Sequence, residues 1–220
     1  MITLFGDVNR TRANRCSWML NELGLDYATE PLCFRPNDAR PPDYLALNPN
    51  GKCPTLCDGD FALFESLAIN LYLAKKYGGE LGPQSLEEDA QMTQWSLWVA
   101  TEVEKPLLLA AAICHLFEPA IPSADELELA LIKLARPWEA LDRHLEDRPF
   151  ILGDRFTVAD LNVAAVMHLV PIAGFDLAPW PQLARWLDTC LARPAARDGR
   201  SVAFKVPRPS TPRDIVAMFI

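Results

Sequence analysis

No apolar run in this 220-residue chain approaches the length that spans a bilayer. Nothing ahead of Ile2 reads as a signal peptide, so the expectation is a cytoplasmic protein away from the membrane. Positive charge is in short supply. Lys and Arg number 21 against 29 Asp and Glu, for a net charge of −8, which argues against nucleic acid as the main partner. The six cysteines, Cys16, Cys33, Cys53, Cys57, Cys114 and Cys190, contain no C-x-x-C pair. None has a histidine at zinc-ligand spacing, so they read as reduced thiols with no metal to hold. Cys53 and Cys57 fall on one face of a predicted strand, too far apart to bridge within it. Histidine is scarce as well. His115, His144 and His168 are scattered over predicted helices, and no Ser-His-Asp pattern suggests a hydrolase.

What is present supports a globular chain. Hydrophobic residues make up 50% of it, ample for a buried core. The acid excess lies between residues 81 and 192, where it reads as a solvated helical surface. From 206 to 220 the chain is basic and Pro-rich. No internal repeat is visible.

Ile2 to Phe5 reads as a strand, Gly6 to Asn9 as a loop, and a helix carrying Trp18, Met19, Leu20 and Leu23 stops at Gly24. Tyr27 to Phe34 reads as a second strand, completing a βαβ unit. Pro41-Pro42 opens a helical turn through Leu47. Asn48, Pro49, Asn50 and Gly51 are turn residues. Cys53 to Asp58 reads as a strand headed by Pro54, Asp58-Gly59 as a hairpin turn, and Phe61 to Phe64 as the returning strand. Ser66 is the expected N-cap of a helix from Leu67 to Tyr77 closed by Gly78-Gly79.

This order has a chemical consequence. A proline opening a strand can be cis, which turns the N–H and C=O of Cys53 outward, where an extended peptide pairs with them. One hairpin later, the N–H groups around Ser66 form an anion site at a helix start. Spacing alone equally allows a plain hairpin followed by a capped helix. Thr11 to Arg15 leads into the first helix, and Arg10, Arg12 and Arg15 make it a basic focus in an acidic chain.

N-P-N-G-K-x-P-T-L followed by E-S-L-A-I-N-L-Y-L-A resembles the glutathione-binding half of the cytosolic glutathione S-transferases, among them bacterial theta-like and related classes. The resemblance implies a cis bond before Pro54 and pairing of the Cys53 backbone with the cysteinyl unit of glutathione. It implies that Glu65 and Ser66 hold the γ-glutamyl end, and that Lys52 lies near the glycine carboxylate. Charge makes Arg12 a further candidate ligand, since glutathione is anionic, although three exposed arginines around a helix start are also common. The family usually has an apolar residue where this chain has Cys53, a difference that a backbone contact tolerates. A Ser, Tyr or Cys in the first loop of the family hydrogen-bonds the glutathione sulfur. Thr11 is the hydroxyl available here, although counting back from Gly24 the usual serine position of several classes falls on Arg10.

Beyond a linker at Glu80 to Gln84 the pattern is wholly helical. Ser85 to Glu88 is a capping box opening a long helix with Trp95, Trp98, Val99, Glu102 and Val103 at helical spacing, which Pro106 is expected to kink. Ser123 to Glu126 is a second box, opening a helix through Leu145 with Pro137 inside. Thr157 to Asp160 is a third, with Phe156 and Leu161 at staple positions and Asp160 expected buried on backbone N–H groups. The F-T-V-A-D-L run matches a structural signature of the family's helical domain. Pro181 to Arg193 is a further amphipathic helix.

The expected fold is therefore α/β plus all-α: a thioredoxin-like βαβ-ββα domain over residues 1–80, an all-helical domain over 85–205 lining the electrophile site, and a basic Pro-rich tail over 206–220. The expected activity is attack of glutathione thiolate on a small hydrophobic electrophile. Thr11 would stabilise the sulfur. Trp98 and His115, with Trp95 and Phe117, would face the electrophile, the alternative being that the two tryptophans are core or interface residues. The resemblance implies no metal or organic cofactor, glutathione as co-substrate, and a homodimer. Disulfide or peroxide reduction or isomerisation on the same site is the first alternative, and a non-catalytic binding or regulatory role is the second.

Overall fold

The computed structural model describes residues 1–34, 38–111, 117–118, 124–197 and 206–207. Two compact units result. One comprises 1–92 with 192–203, and the other 93–191 with 204–220.

In the first unit, β1 (Ile2–Phe5), α1 (Ala13–Glu22) and β2 (Tyr27–Glu30) form a βαβ unit with parallel strands, Ile2 opposite Tyr27 and Phe5 opposite Glu30. After α2 (Pro42–Leu47) come β3 (Thr55–Asp58), β4 (Phe61–Phe64) and α3 (Ser66–Tyr77). β3 runs antiparallel to both β1 and β4, and the sheet order is β2-β1-β3-β4. The thioredoxin-like expectation therefore holds. β2 stops at Glu30, not Phe34, because its partner β1 has already ended at Phe5. Gly59 turns the hairpin at φ +62°, a left-handed conformation that costs glycine little. Leu4, Leu56, Met19, Leu20, Ile69 and Leu73 are fully buried where α1 and α3 meet the sheet.

Asp58 ties the hairpin to α3. One of its carboxylate oxygens accepts from Tyr72 Oη at 2.9 Å, Lys76 Nζ at 2.7 Å and Tyr77 Oη at 2.7 Å. Partial burial works against the charge, but these donors outweigh it and hold the carboxyl below its usual range. Because α3 is fixed in this way, so is its N-terminus at Glu65 and Ser66. Residues 192–203 return to this unit. Arg193, followed by α10 (Pro194–Arg197), makes a bidentate pair with Glu22 at 2.7 Å through each nitrogen.

The division between units falls inside α4 (Leu86–Trp98). Ser85 Oγ accepts from Glu88 N–H at 3.2 Å, while the Glu88 carboxylate returns to Gln84 N–H rather than to Ser85. Pro106 lacks the N–H that would bond Glu102. The helix ahead of it is wound as a π turn over Val99–Val103, and α5 (Glu104–Ala111) follows, so the expected kink takes this form.

In the second unit, β5 (Phe117–Glu118) pairs in parallel with β6 (Val206–Pro207). Between them in sequence come α6 (Ala124–His144), α7 (Val158–Met167), α8 (Leu169–Ala173) and α9 (Pro181–Leu191). Ser123 of the second capping box lies outside the described residues, as does the tail beyond Pro207. α6 runs through Pro137, whose cost is offset by complete burial of Leu134, Trp138 and Leu141. Every residue of α7 is buried, as expected of a helix at the centre of a helical unit.

The third capping box forms as expected. Thr157 Oγ1 accepts from Ala159 N–H at 3.3 Å, and Asp160 accepts from Thr157 N–H at 3.0 Å. Asp160 also takes Ile151 N–H at 2.8 Å and Trp186 Nε1–H at 2.9 Å. Burial pushes its carboxyl up, and these donors oppose that push.

Candidate active site

Gly6 is where the pieces of the site converge. It leaves β1 at φ +140°, and a Cβ there would lie 2.9 Å from Ala13 Cβ, 3.1 Å from Thr11 Oγ1 and 3.2 Å from Cys53 Cβ. Only glycine lets the first loop and the Cys53 segment approach so closely over the end of the strand. Thr11 and Cys53, 42 positions apart in the sequence, are thereby neighbours.

The Thr11 hydroxyl donates to Asp7 O at 2.8 Å and accepts from Ala13 N–H at 3.2 Å. Asp7 O also accepts from Arg10 N–H at 3.1 Å and Thr11 N–H at 2.9 Å. Turning the Thr11 O–H about its Cβ–Oγ bond therefore frees a donor without stripping the carbonyl of partners. The arginines separate. Arg10 is 59% exposed and lies 3.7 Å from Asp7, while half-exposed Arg12 takes the N-cap position of α1. Arg15 is buried, with its guanidinium 3.4 Å from Ser66 Oγ. The single basic focus expected from sequence is thus divided between a surface pair and a buried support under α3.

The Cys53–Pro54 bond is cis. The Cys53 N–H and C=O make no hydrogen bond to any described residue. A closed ring of hydrogen bonds holds the segment around them, and sequence reasoning missed it. Tyr44 Oη donates to Lys52 O at 2.8 Å and meets Thr55 Oγ1 at 3.0 Å. Asn48 Nδ2 donates to the same Lys52 O at 2.6 Å and to Thr55 Oγ1 at 3.1 Å. Burial pushes the Tyr44 phenol far above its ordinary range, so it stays a donor. With Tyr44 donating to Lys52, Thr55 donates to Tyr44, and every proton in the ring has an acceptor. Lys52 itself is exposed.

Cys53 Sγ donates to Leu32 O at 3.5 Å and lies 3.6 Å from Tyr44 Oη. Burial raises its thiol pKa. Cys53 precedes β3 instead of standing on it, so it does not share a strand face with Cys57. Among the described residues, Cys16, Cys33, Cys53, Cys57 and Cys190 are free thiols. Cys114 lies outside them.

Glu65, not Ser66, is the N-cap of α3. It stands at φ +73°, a left-handed value that costs a non-glycine residue about 1–3 kcal/mol. Glu65 is exposed, whereas Ser66 is buried as the first helical residue, its Oγ taking the Arg15 guanidinium. Asn70 Nδ2 donates to Arg15 O at 3.3 Å, bracing that arginine from α3.

In the second unit, Trp98 is half-buried with its ring edge-on to Trp95 at 5.0 Å, and Trp95 tilts against His144 at 4.7 Å. His115 lies outside the described residues, and of Phe117 only the strand position is described. His144 Nε2 lies 2.8 Å from Ile151 O, and His168 Nδ1 2.7 Å from Ala165 O.

Comparison with known proteins agrees with this architecture. Residues 1–75 match the family described as glutathione S-transferase, N-terminal domain, and residues 105–194 match glutathione S-transferase, C-terminal domain. Glutathione S-transferase 3 of Zea mays is 33% identical over 96% of this chain and 97% of its own. The probable glutathione S-transferase GSTF2 of Oryza sativa subsp. japonica is 32% identical over 88% of this chain and 93% of its own. Among solved structures, glutathione S-transferase-I bound with lactoylglutathione superposes with a TM-score of 0.80 at 29% identity, covering 90% of this chain and 97% of that one. The theta class enzyme from Xanthomonas axonopodis pv. citri, solved with glutathione bound, also gives 0.80, at 27% identity over 93% and 99%. The chain belongs to the glutathione S-transferase family, whose activity is the conjugation of glutathione. Among the described residues no helix is long and apolar enough to cross a membrane.

Proposed function

We propose that this transferase binds glutathione along the Lys52–Pro54 segment and activates its sulfur through Thr11. The observation that carries the reading is the convergence at Gly6, which sets the Thr11 hydroxyl beside Cys53. The Cys53 N–H and C=O, unbonded to described residues, pair with the cysteinyl unit of the tripeptide. The γ-glutamyl end sits at the N-terminus of α3 against Glu65 and Ser66, where Arg15 adds positive charge. Lys52 and Arg12 attract the remaining carboxylate.

The thiolate is a stronger acceptor than a backbone carbonyl. When it arrives, the Thr11 O–H turns from Asp7 to the sulfur, and Asp7 O keeps its two N–H partners. A donated hydrogen bond favours thiolate over thiol. Lowering a thiol pKa from ~8.5 by about two units raises the thiolate fraction at pH 7 from roughly 3% to roughly three-quarters. The thiolate then attacks an electrophilic carbon, and orientation of the two reactants supplies the rest of the acceleration. Trp98 and His115 line the electrophile's pocket. The unit that holds residues 1–80 acts as the glutathione domain, and the helices between 93 and 191 act as the helical domain. The working protein is a cytoplasmic homodimer that needs no metal or organic cofactor.

Titration of the bound thiolate by its ultraviolet absorbance tests this reading. Thr11→Val should move the titration to higher pH and lower turnover at pH 7, with Thr11→Ser restoring both and glutathione affinity little changed. Superimposable curves for wild type and Thr11→Val would remove Thr11 from the mechanism.

A further inference from the structure

Cys33 and Cys53 are both free, and they come together at the edge of the proposed site. Cys53 Sγ donates to the carbonyl of Leu32, the residue bonded to Cys33, at 3.5 Å. A carbonyl oxygen lies about 2.8 Å from the next Cα, which brings Cys33 Cα within roughly 6.3 Å of the Cys53 sulfur. The two Cα atoms are then at most about 9 Å apart, against an upper limit near 7 Å for a disulfide. A shift of roughly 2 Å, shared between Cys33 and the Cys53 segment, closes even this widest gap. Past Glu30 the backbone is held at Leu32, whose carbonyl accepts from Asp7 N–H at 2.8 Å, so the shift falls on Cys33 itself and on the Cys53 segment facing it. The charge of one thiolate is felt at the other, as expected at this separation.

We propose that Cys33 and Cys53 close into a reversible disulfide by exchange with a disulfide of glutathione, and that closure withdraws the Cys53 segment from glutathione binding. The two cysteines are unequal. Cys33 is exposed, whereas Cys53 is half-buried, its proton held on Leu32 O and its ionisation opposed by burial. Cys33 therefore attacks first. Its thiolate displaces one glutathione thiolate from glutathione disulfide, breaking that S–S bond and forming a mixed disulfide on Cys33. Cys53 then loses its proton to solvent, and its sulfur attacks the Cys33 sulfur, releasing the second glutathione. The two cysteines are oxidised by two electrons, and one glutathione disulfide is reduced to two thiols. Bonding to Cys33 draws the Cys53 sulfur from Tyr44 Oη and Leu32 O, and the part of the shift that falls on Cys53 pulls its backbone out of the position that the Lys52 O ring sets. The effect on binding rests on the glutathione reading above; the disulfide itself does not.

The test uses the full chain with two oxidants, glutathione disulfide and hydroxyethyl disulfide, which carries no glutathionyl group. Peptide mapping after alkylation should find Cys33 linked to Cys53 with either, and an excess of thiol should reverse it. The oxidised protein should bind S-hexylglutathione, a thioether that cannot reduce the bond, about tenfold more weakly. Cys33→Ser should keep its affinity through the same treatment. Cys33 and Cys53 remaining separately alkylatable, or carrying separate adducts, with both oxidants would overturn the proposal. A mapped linkage with unchanged S-hexylglutathione affinity would overturn the control of binding. If the reduced protein does not bind S-hexylglutathione at all, the glutathione reading fails, and the hydroxyethyl disulfide arm alone decides the thiol pair.

Discussion

The ring that holds the Cys53 segment makes a quantitative prediction, because two side chains share one carbonyl. Lys52 O accepts from both Tyr44 and Asn48, and Thr55 Oγ1 meets both as well. Tyr44, Asn48 and Thr55 are 3%, 1% and 0% exposed, so water does not readily replace a lost partner. Tyr44→Phe removes two neutral hydrogen bonds but leaves the carbonyl bonded to Asn48. At 0.5–1.5 kcal/mol per bond, the cost is about 1–3 kcal/mol. Asn48→Ala removes two such bonds and the acceptor for Asn50 N–H at 3.0 Å, for about 1.5–4.5 kcal/mol, while Tyr44 still serves the carbonyl. Only the double variant takes both of these donors from Lys52 O. It should cost about 1–2 kcal/mol more than the sum of the two single changes.

Urea midpoints of the four proteins give that coupling directly. Function should follow the same pattern if the ring positions the Cys53 backbone for glutathione. KM for glutathione should rise about threefold in Tyr44→Phe and more than about tenfold in the double variant, with kcat per folded molecule nearly constant. Additive stabilities would mean that the two side chains do not share a load. Coupled stabilities with an unmoved KM would mean that the ring steadies the fold without setting the binding segment.

Ser66→Ala should weaken glutathione binding by about 1.5–3 kcal/mol, measured by calorimetry, since it removes a hydroxyl from the helix start beside Arg15; unchanged affinity would move the γ-glutamyl site elsewhere. Asp160→Ala should cost about 3–5 kcal/mol, because it strands the N–H groups of Ile151 and Thr157 and the Trp186 indole in a buried place. Whatever folds should keep its turnover, and a selective loss of activity at normal melting temperature would show that this box does more than cap α7. Burial alone would raise the Glu22 carboxyl, but Arg193 and the Trp18 indole hold it below its usual value. Its stabilising effect is therefore present above the unfolded pKa and is lost as pH falls through the lower folded value. After allowance for screening at the part-exposed Arg193, Arg193→Leu should remove about 1 kcal/mol at neutral pH and flatten the acid limb of the stability profile. An unchanged acid limb would place the acid sensitivity on another carboxylate.

Patterns confined to a few neighbouring residues were readable from the sequence. The Asp58-Gly59 turn, the Gly24 stop and the Thr157-Asp160 box each depend on chemistry within four positions, and each forms as read. Sequence and structure differ where a distant group overrides a local preference. Ser66 is a good N-cap by type, yet Arg15 draws its hydroxyl inward, and Glu65 takes the strained non-helical position instead. Tyr27 to Phe34 has strand character throughout, but the sheet ends where β1 ends. Asn48 read as a turn residue and does bond Asn50 two positions on, but its amide also reaches Thr55 and the Lys52 carbonyl, which no turn rule includes. Tyr44 gave no signal at all, because its partners are backbone and side-chain oxygens eight and eleven positions away, fixed only once α2 docks. Thr11 and Cys53 each stand out in the sequence, one for its hydroxyl and the other for its place before Pro54. What joins them is the missing side chain of Gly6, read in the sequence as loop alone. The residues of the proposed site are legible one by one. The glycine and the hydrogen-bonded ring that bring them within reach of each other are not, because closeness across the fold leaves no local pattern.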